Sequence, residues 1–205
     1  DLHTGQTIRV SVASDGSAPR CLAGYCVNGL QSTLITDGVS EDGRYILFRS
    51  NAMNLSYLPT TGYLDAYLIY RHDTVTGITA LASATQNNTK PPNSVNAFSI
   101  SDDGRYVLFS CGNMNPPCNV SSDGSDTGLQ LFLRDMDTQT STRVSVSSSG
   151  VQSNGITYNY AEILDDGPRI LFTSSATNLT PNTPAQPRNL YMHSLQTSST
   201  DLVNV

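Results

Sequence analysis

A segment written three times constrains the fold of this 205-residue chain more than any other feature. The nine residues that begin at Ser40 recur at Ser101 and, with more changes, at Leu164. Their central glycines stand 61 and then 63 residues apart. In addition, residues 1–12 align without a gap on residues 135–146. A period of this length predicts one supersecondary unit that is repeated and stacks on its neighbours.

Each copy of the repeat predicts four antiparallel strands joined by turns. The first link is an Asp-Gly pair, as at Asp42-Gly43, which favours a hairpin because glycine accepts a positive φ. The strand that follows it, Ile46-Leu47-Phe48 in the first copy, is apolar on both faces, as expected between two neighbouring sheets. We predict first strands at 33–40, 95–101 and 157–164, second strands at 44–50, 105–110 and 169–174, third strands at 64–71, 129–135 and 188–194, and fourth strands at 78–83, 142–147 and 201–205, with an extra fourth strand at 7–12.

The composition agrees with short strands and polar turns. Charged residues make up 14% of the chain and Trp is absent, whereas Ser, Thr, Asn and Gly are abundant. These residues suit long helices poorly, because Ser, Thr and Asn compete for backbone hydrogen bonds. We predict an all-β fold: a β-propeller-type array of three four-stranded antiparallel blades plus one leading strand. The single repeat domain, 1–205, comprises a leading strand, 1–16, and blades at 31–84, 94–147 and 156–205.

The repeat contains the motif Ser-x-Asp-Gly-Arg-Tyr-x-Leu-Phe, followed by Ala-x-Asn-Leu at residues 52–55 and 176–179. By these residues it resembles the TolB-type, WD-like β-propeller repeat family. The second copy departs from the latter motif, with Gly-Asn-Met-Asn at residues 112–115. The resemblance implies propeller blades. It implies little about activity, because such folds carry many functions.

Three blades are too few to close a propeller, which typically has 4–8. An open array leaves two blade faces uncovered, and further sheets must shield their apolar side chains. Either the chain is a segment of a longer propeller, or copies of the chain associate. The extra strand at 7–12 could also pair with the sheet edge of a neighbouring molecule.

The four cysteines form two close pairs, Cys21 with Cys26 and Cys111 with Cys118. Neither pair has the spacing of a zinc knuckle, and no His lies nearby. Local disulfides are the expected pairing, and they indicate an oxidising compartment. Reduced thiols in a cytosolic protein are the alternative.

The long links between strands lie on one side of the predicted array, and we expect any binding function there. The alternative is that these links are tolerated insertions. They hold four Asn-x-Ser/Thr triplets, at Asn54, Asn87, Asn119 and Asn178, which are possible glycosylation sites. Their Thr and Pro content is compatible with O-glycans as well.

No catalytic arrangement stands out in the sequence. A Gly-x-Ser-x-Gly elbow is absent, and His3, His72 and His193 are interpreted as surface or half-buried residues at different positions of the repeat. The recurring acids Asp42, Asp103 and Asp166 are explained as turn residues.

A calcium ion is the one cofactor that the sequence suggests. The segment 123–128 offers the carboxylates of Asp123 and Asp126, the hard oxygen ligands that Ca²⁺ takes. A plain polar turn is the alternative.

The net charge of −6 and the scattered basic residues argue against nucleic acid as a partner. No apolar run approaches the ~20 residues of a membrane span. We therefore predict a non-enzymatic secreted protein, located at the cell surface, in the periplasm or outside the cell. It would act as a binding module for a protein or glycan ligand, or as a structural unit of an extracellular assembly. The alternative is a propeller segment accessory to a larger enzyme such as a peptidase.

Overall fold

The computed structural model describes residues 5–21, 30–56, 66–112, 118–121, 126, 128–164, 169–184 and 187–204. These residues contain strands and no helix, and hence no helix that could span a membrane. The strands are β1 (Ser32–Val39), β2 (Tyr45–Ser50), β3 (Leu68–Asp73), β4 (Thr79–Leu81), β5 (Asn96–Ile100), β6 (Tyr106–Gly112), β7 (Leu129–Asp135), β8 (Thr140–Arg143), β9 (Thr157–Leu164), β10 (Arg169–Ser174), β11 (Asn189–Ser194) and β12 (Ser199–Leu202).

The strands form three antiparallel sheets of four, each made of consecutive strands: β1–β4, β5–β8 and β9–β12. The predicted all-β class and the three four-stranded units are thereby confirmed. The first strands of the sheets lie side by side, since β1 contacts β5 and β5 contacts β9. Among the described strands β1 does not contact β9, so the array is open.

An aromatic pair marks the same place in every sheet. Phe48 stacks on Tyr70, Phe109 on Phe132, and Phe172 on Tyr191, with ring centroids 5.6, 5.7 and 5.7 Å apart. We call the side of each sheet that carries these rings the near face. The far face carries the neighbouring leucine of the second strand, which is Leu47, Leu108 or Leu171, because successive side chains of a strand alternate.

Two apolar clusters join the sheets. In one cluster, Leu47 and Ile69 of the first far face lie with Phe109 and Phe132 of the second near face. In the other, Leu108 of the second far face lies with Phe172 of the third near face. The far faces of the first and second sheets are therefore each buried by the near face of the next sheet along the chain.

The fourth strands end earlier than the sequence predicted. β8 stops at Arg143 although the apolar Val144 follows, and β12 stops at Leu202. At these points a side chain replaces the acceptor that the ladder would use: the Ile69 N–H donates to Ser83 Oγ and the Leu131 N–H to Ser145 Oγ. In the third sheet the Leu190 N–H donates to Asn204 Oδ1. The chain can then leave the sheet without an unpaired amide.

The predicted leading strand at 7–12 is wrong, because no strand occurs in residues 5–21. The segment lies instead against β4. Thr79 Oγ1 donates to the Val12 carbonyl at 2.6 Å, and the Thr79 N–H donates to Ser14 Oγ at 3.0 Å. These contacts run through side chains, and they hold the segment without a strand ladder.

The Asp-Gly turns have the predicted role at Asp42 and Asp103. Asp42 Oδ1 accepts the Ser40 hydroxyl and the Arg44 N–H, at 2.7 and 2.9 Å. Arg44 then reaches the next turn, where its guanidinium forms two hydrogen bonds to Asp73. Arg105 repeats this contact with Asp135. Asp166 lies outside the described residues.

Candidate functional site

The far face of the third sheet is an apolar surface that no described sheet covers. Leu171, Leu190 and Met192 are partly exposed there, and Val203 is 44% exposed. No sheet among the described residues covers them, since each sheet is covered by the one that follows it in the chain.

The second sheet shows what this face looks like when it is covered. The four equivalent side chains, which we assign from the strand register, are 0–2% exposed: Leu108, Leu131, Leu133 and Val144. All of them lie in the apolar cluster with the third sheet. The uncovered surface therefore consists of core-type positions of the repeat.

The near face of the first sheet is open in a corresponding way. Val39, which pairs with Ile46 in the register, is 48% exposed, and Leu34, which pairs with Phe48, is 69% exposed. The residues equivalent to Val39 in the next sheets are Ile100 and Ile163, and each is 7% exposed. The first sheet thus presents apolar side chains along β1 on its near face, while the ring pair of that face is already buried, with Phe48 2% and Tyr70 0% exposed. The third sheet presents an apolar far face.

The segment ahead of β1 covers part of this near face. Ala13 is buried in the cluster that contains Phe48 and Tyr70. Residues 12–14 occupy on β4 the place that residues 146–148 occupy on β12. There Thr200 Oγ1 donates to the Val146 carbonyl and Ser148 Oγ accepts the Thr200 N–H.

In each sheet, a hydroxyl of the fourth strand links a side chain of the third strand to a backbone carbonyl of an earlier segment of the chain. We call this link the hydroxyl relay. His72 Nδ1 lies 2.9 Å from Thr79 Oγ1, and His193 Nδ1 lies 2.8 Å from Thr200 Oγ1. Because each threonine hydroxyl donates its single proton to a carbonyl, it must accept from the imidazole, so Nδ1 carries the proton. Arg134 holds the same place in the second sheet and donates to Ser141.

This arrangement corrects the sequence interpretation of the histidines. His72 and His193 occupy equivalent positions, opposite Ile46 and Ile170, and both are buried. The sequence does not reveal that His72 and His193 are equivalent, because the second repeat has Arg134 at the same position. Burial lowers the pKa of both imidazoles, although Asp73 acts in the opposite direction on the pKa of His72. His3 lies outside the described residues.

A cavity of about 630 Å³ lies between the first strands β1, β5 and β9. Tyr160 and Glu162 line it from β9, and the Tyr160 hydroxyl donates to Glu162 Oε2 at 2.8 Å. This hydrogen bond to the carboxylate raises the pKa of Tyr160. Ser110 also lines the cavity, and its buried hydroxyl has no hydrogen-bond partner among the described residues.

One predicted disulfide is present, between Cys111 and Cys118, with Cα atoms 6.0 Å apart. Cys21 is disulfide-bonded as well, while Cys26 lies outside the described residues. No free cysteine occurs in the described part of the chain. This pairing fits an oxidising compartment.

The candidate glycosylation sites fall into two environments. Asn54 and Asn178 are half-buried and tie a loop to the preceding link. Asn54 Nδ2 donates to Ser17 Oγ and to the Ala18 carbonyl, and Asn178 Nδ2 donates to the Gln152 carbonyl. These bonds explain the Asn of the Ala-x-Asn-Leu motif. They use the amide nitrogen to which an N-glycan would be attached.

The side chains at Asn87 and Asn119 are exposed instead. An exposed asparagine in a link can accept a glycan without disturbing the sheets. These two positions remain the better candidates for the predicted modification.

The predicted calcium ligands are described only in part. Asp126 is buried and ion-paired with Arg143, and it accepts the Val120 N–H and the Ser121 hydroxyl. Asp123 lies outside the described residues, and no cluster of three or more acids, His or Cys occurs in the described ones. A calcium ion would have to replace Arg143 at Asp126, so the calcium site stays a prediction.

The blade count predicted that two end faces are uncovered, but it did not predict which residues those faces carry. Leu171 and Leu190 look like ordinary core positions in the sequence, because the repeat places an apolar residue there in every copy. At the position of Met192 the second copy has Leu133 and the first has Arg71. The sequence does not show which face of a sheet contacts the next sheet along the chain.

Comparison with solved structures finds several similar chains, among them two TolB structures. A protein assigned as TolB from Agrobacterium tumefaciens is 13% identical, with a TM-score of 0.47, over 86% of this chain and 50% of that one. TolB from Acinetobacter baumannii is 13% identical, with a TM-score of 0.46, over 84% of this chain and 31% of that one. The chain spans half the length of the former and about a third of the latter. No family model and no curated protein matches. Both of these structures are TolB proteins, the family whose repeats the sequence resembles.

Proposed function

We propose that the chain is a non-enzymatic binding and building unit whose uncovered sheet faces receive further β-sheets in an assembly outside the reducing cytoplasm. One observation carries the proposal: the side chains that are buried in the second sheet are partly exposed at the equivalent positions of the third, and one of them, Val203, is 44% exposed. The Cys111–Cys118 disulfide supports the location, because such bonds persist in oxidising compartments.

The exposed apolar side chains supply part of the free energy that binding of a partner requires. Complete burial of a Leu, Met or Val side chain stabilises by about 1.5–3 kcal/mol. Leu171, Leu190 and Met192 are already partly buried, so only a fraction of this remains for each of them. Together with Val203 they offer several kcal/mol, which is part of what must offset the ~4–15 kcal/mol entropic cost of association. The other contacts of the junction have to supply the rest.

The described histidines support a structural role over catalysis. His72 and His193 are buried and use Nδ1 to hold a threonine. Neither imidazole is paired with a nucleophile and a carboxylate in the manner of a hydrolase triad.

The proposal is tested with an apolar dye such as ANS and with Leu171→Glu. At low concentration the unmodified chain should bind the dye at the far face of the third sheet, and Leu171→Glu should lower that binding at least severalfold. Val75→Glu is the matched control, because Val75 is 74% exposed in a turn away from this face. Equal dye binding by the unmodified chain and Leu171→Glu would contradict the proposal.

A further inference from the structure

The two uncovered faces are complementary to each other, and this complementarity indicates which partner covers them. Within the chain, every junction joins the far face of one sheet to the near face of the next. The third sheet offers an unused far face, and the first sheet offers a partly unused near face, both apolar. A partner unrelated to the chain would need only one of them.

We propose that the far face of the third sheet binds the near face of the first sheet of a second copy of this chain. The inference rests on the proposed function and deepens it by naming the partner. The contact is head-to-tail, since two different surfaces of the same chain meet.

The position of the segment ahead of β1 fits this junction. Residues 12–14 form the same hydrogen bonds with Thr79 of β4 that residues 146–148 form with Thr200 of β12. A second copy therefore has to supply only the face of its third sheet. The near face left for it is the part that carries Leu34, Val39 and Ile46.

The first strands provide a polar contact at the same junction. Between the second and third sheets, the Ile163 N–H donates to Ser99 Oγ at 3.1 Å. In the third sheet, Glu162 occupies the position that Ser99 has in the second sheet, because each lies opposite the far-face leucine of its own sheet. In the first sheet, Val39 occupies the position that Ile163 has in the third. The Glu162 carboxylate is thus placed to accept the backbone N–H of residue 39 of the second copy.

The number of sheets allows such an arrangement to close. Three sheets form an open array, whereas two copies supply six, which lies within the 4–8 blades of closed propellers. A ring of two copies contains two identical junctions. Formation of the second junction is intramolecular once the first has formed, which favours the pair over longer chains.

The test is sedimentation equilibrium on the unmodified chain, on Leu171→Glu and on Val39→Glu. We expect a particle of twice 22.0 kDa for the unmodified chain and single-chain particles for both variants. An equimolar mixture of the two variants should again form pairs, because one of its two junctions contains only unmodified residues. The mixture should be weaker than the unmodified pair, with at least a tenfold higher dissociation constant.

The outcomes separate this inference from the proposed function. A single-chain particle at all concentrations that still binds the apolar dye through Leu171 overturns the second copy as partner and leaves the proposed function standing. Dissociation by Leu171→Glu without dissociation by Val39→Glu, or a mixture that stays dissociated, also overturns the head-to-tail junction. Circular dichroism verifies that the variants fold, and Leu34→Glu, at a site that is 69% exposed, gives a second near-face variant.

Discussion

At the scale of single residues, the repeat works by placing a few side chains where the backbone lacks a partner. Ser83, Ser145 and Asn204 each accept an amide at the point where the fourth strand leaves its sheet. Asp42 and Asp103 fix the tight turns in the same manner. The sequence predicts the turn acids, because Asp-Gly is a local signal. It does not predict the strand ends, because their amides come from another strand.

Gly43 and Gly104 allow a matched comparison of turn strain and sheet packing. Both have φ near +70° in equivalent turns, but only at Gly104 would an added Cβ meet the ring of Tyr45 from the first sheet. We expect Gly43→Ala to cost ~1 kcal/mol of unfolding free energy through its positive φ. Gly104→Ala should cost a further ~1–3 kcal/mol through overpacking. Urea unfolding of both variants measures the difference, and equal losses would contradict the contact between sheets.

Ser110 and Ser174 provide a second residue-scale prediction. Both hydroxyls are buried, but Ser174 Oγ donates to the Ile156 carbonyl and accepts the Ala176 N–H, whereas Ser110 Oγ has no partner among the described residues. Ser110→Ala should leave the unfolding free energy unchanged or raise it by up to ~1 kcal/mol. Ser174→Ala should lower it by ~1–2 kcal/mol. A loss at Ser110 as large as that at Ser174 would show that its hydroxyl is bonded in solution.

At the scale of elements, the junction between consecutive repeats depends on a hydroxyl of the fourth strand. Ser141 and Thr200 each donate to a carbonyl of the preceding repeat, on Ala84 and Val146. Thr79 donates in the same way to Val12, in the segment ahead of β1. The predicted strand order and the three sheets are correct because hydrophobic pattern and turn residues specify them locally. The predicted strand at 7–12 is wrong because its place is decided by a contact with β4, more than sixty residues away in the chain.

The buried histidines of this relay make stability depend on pH. Their pKa values are lower in the folded chain than the usual 6.5. The unfolded chain therefore binds more protons below about pH 6.5, so the free energy of unfolding should fall as the pH decreases from 6.5 and stay level above it. Chemical unfolding between pH 5 and pH 8 measures this slope.

The double variant His72→Gln, His193→Gln is the control for this prediction. Its glutamines can still donate to Thr79 and Thr200 but do not titrate, so the slope between pH 5 and 6.5 should flatten. Asp73 does not contribute to the slope between pH 5 and 6.5, because its ion pair with Arg44 lowers its pKa. Its effect on the free energy of unfolding is therefore confined to pH values below about 4. An unchanged slope in the double variant would assign the pH dependence to other groups.

At the scale of the whole molecule, the three described sheets stack in one direction as an open array. The sequence predicted the open array from the blade count, and it predicted that something must cover the end faces. It could not predict which residues those faces present, because most of these positions are apolar whether or not a sheet covers them. The order of the sheets in space, with each far face on the next near face, supplies that assignment.

The central claim is that the far face of the third sheet is a junction surface that a further sheet covers. Thiol labelling of Met192→Cys against Leu133→Cys tests it most directly, since the two residues hold equivalent positions and no other free thiol occurs in the described chain. We predict fast labelling at position 192 in dilute solution, at least tenfold slower labelling in concentrated solution, and slow labelling at position 133 throughout. Labelling at position 192 that is as slow as at position 133 in dilute solution, or that does not change with concentration, would contradict the account.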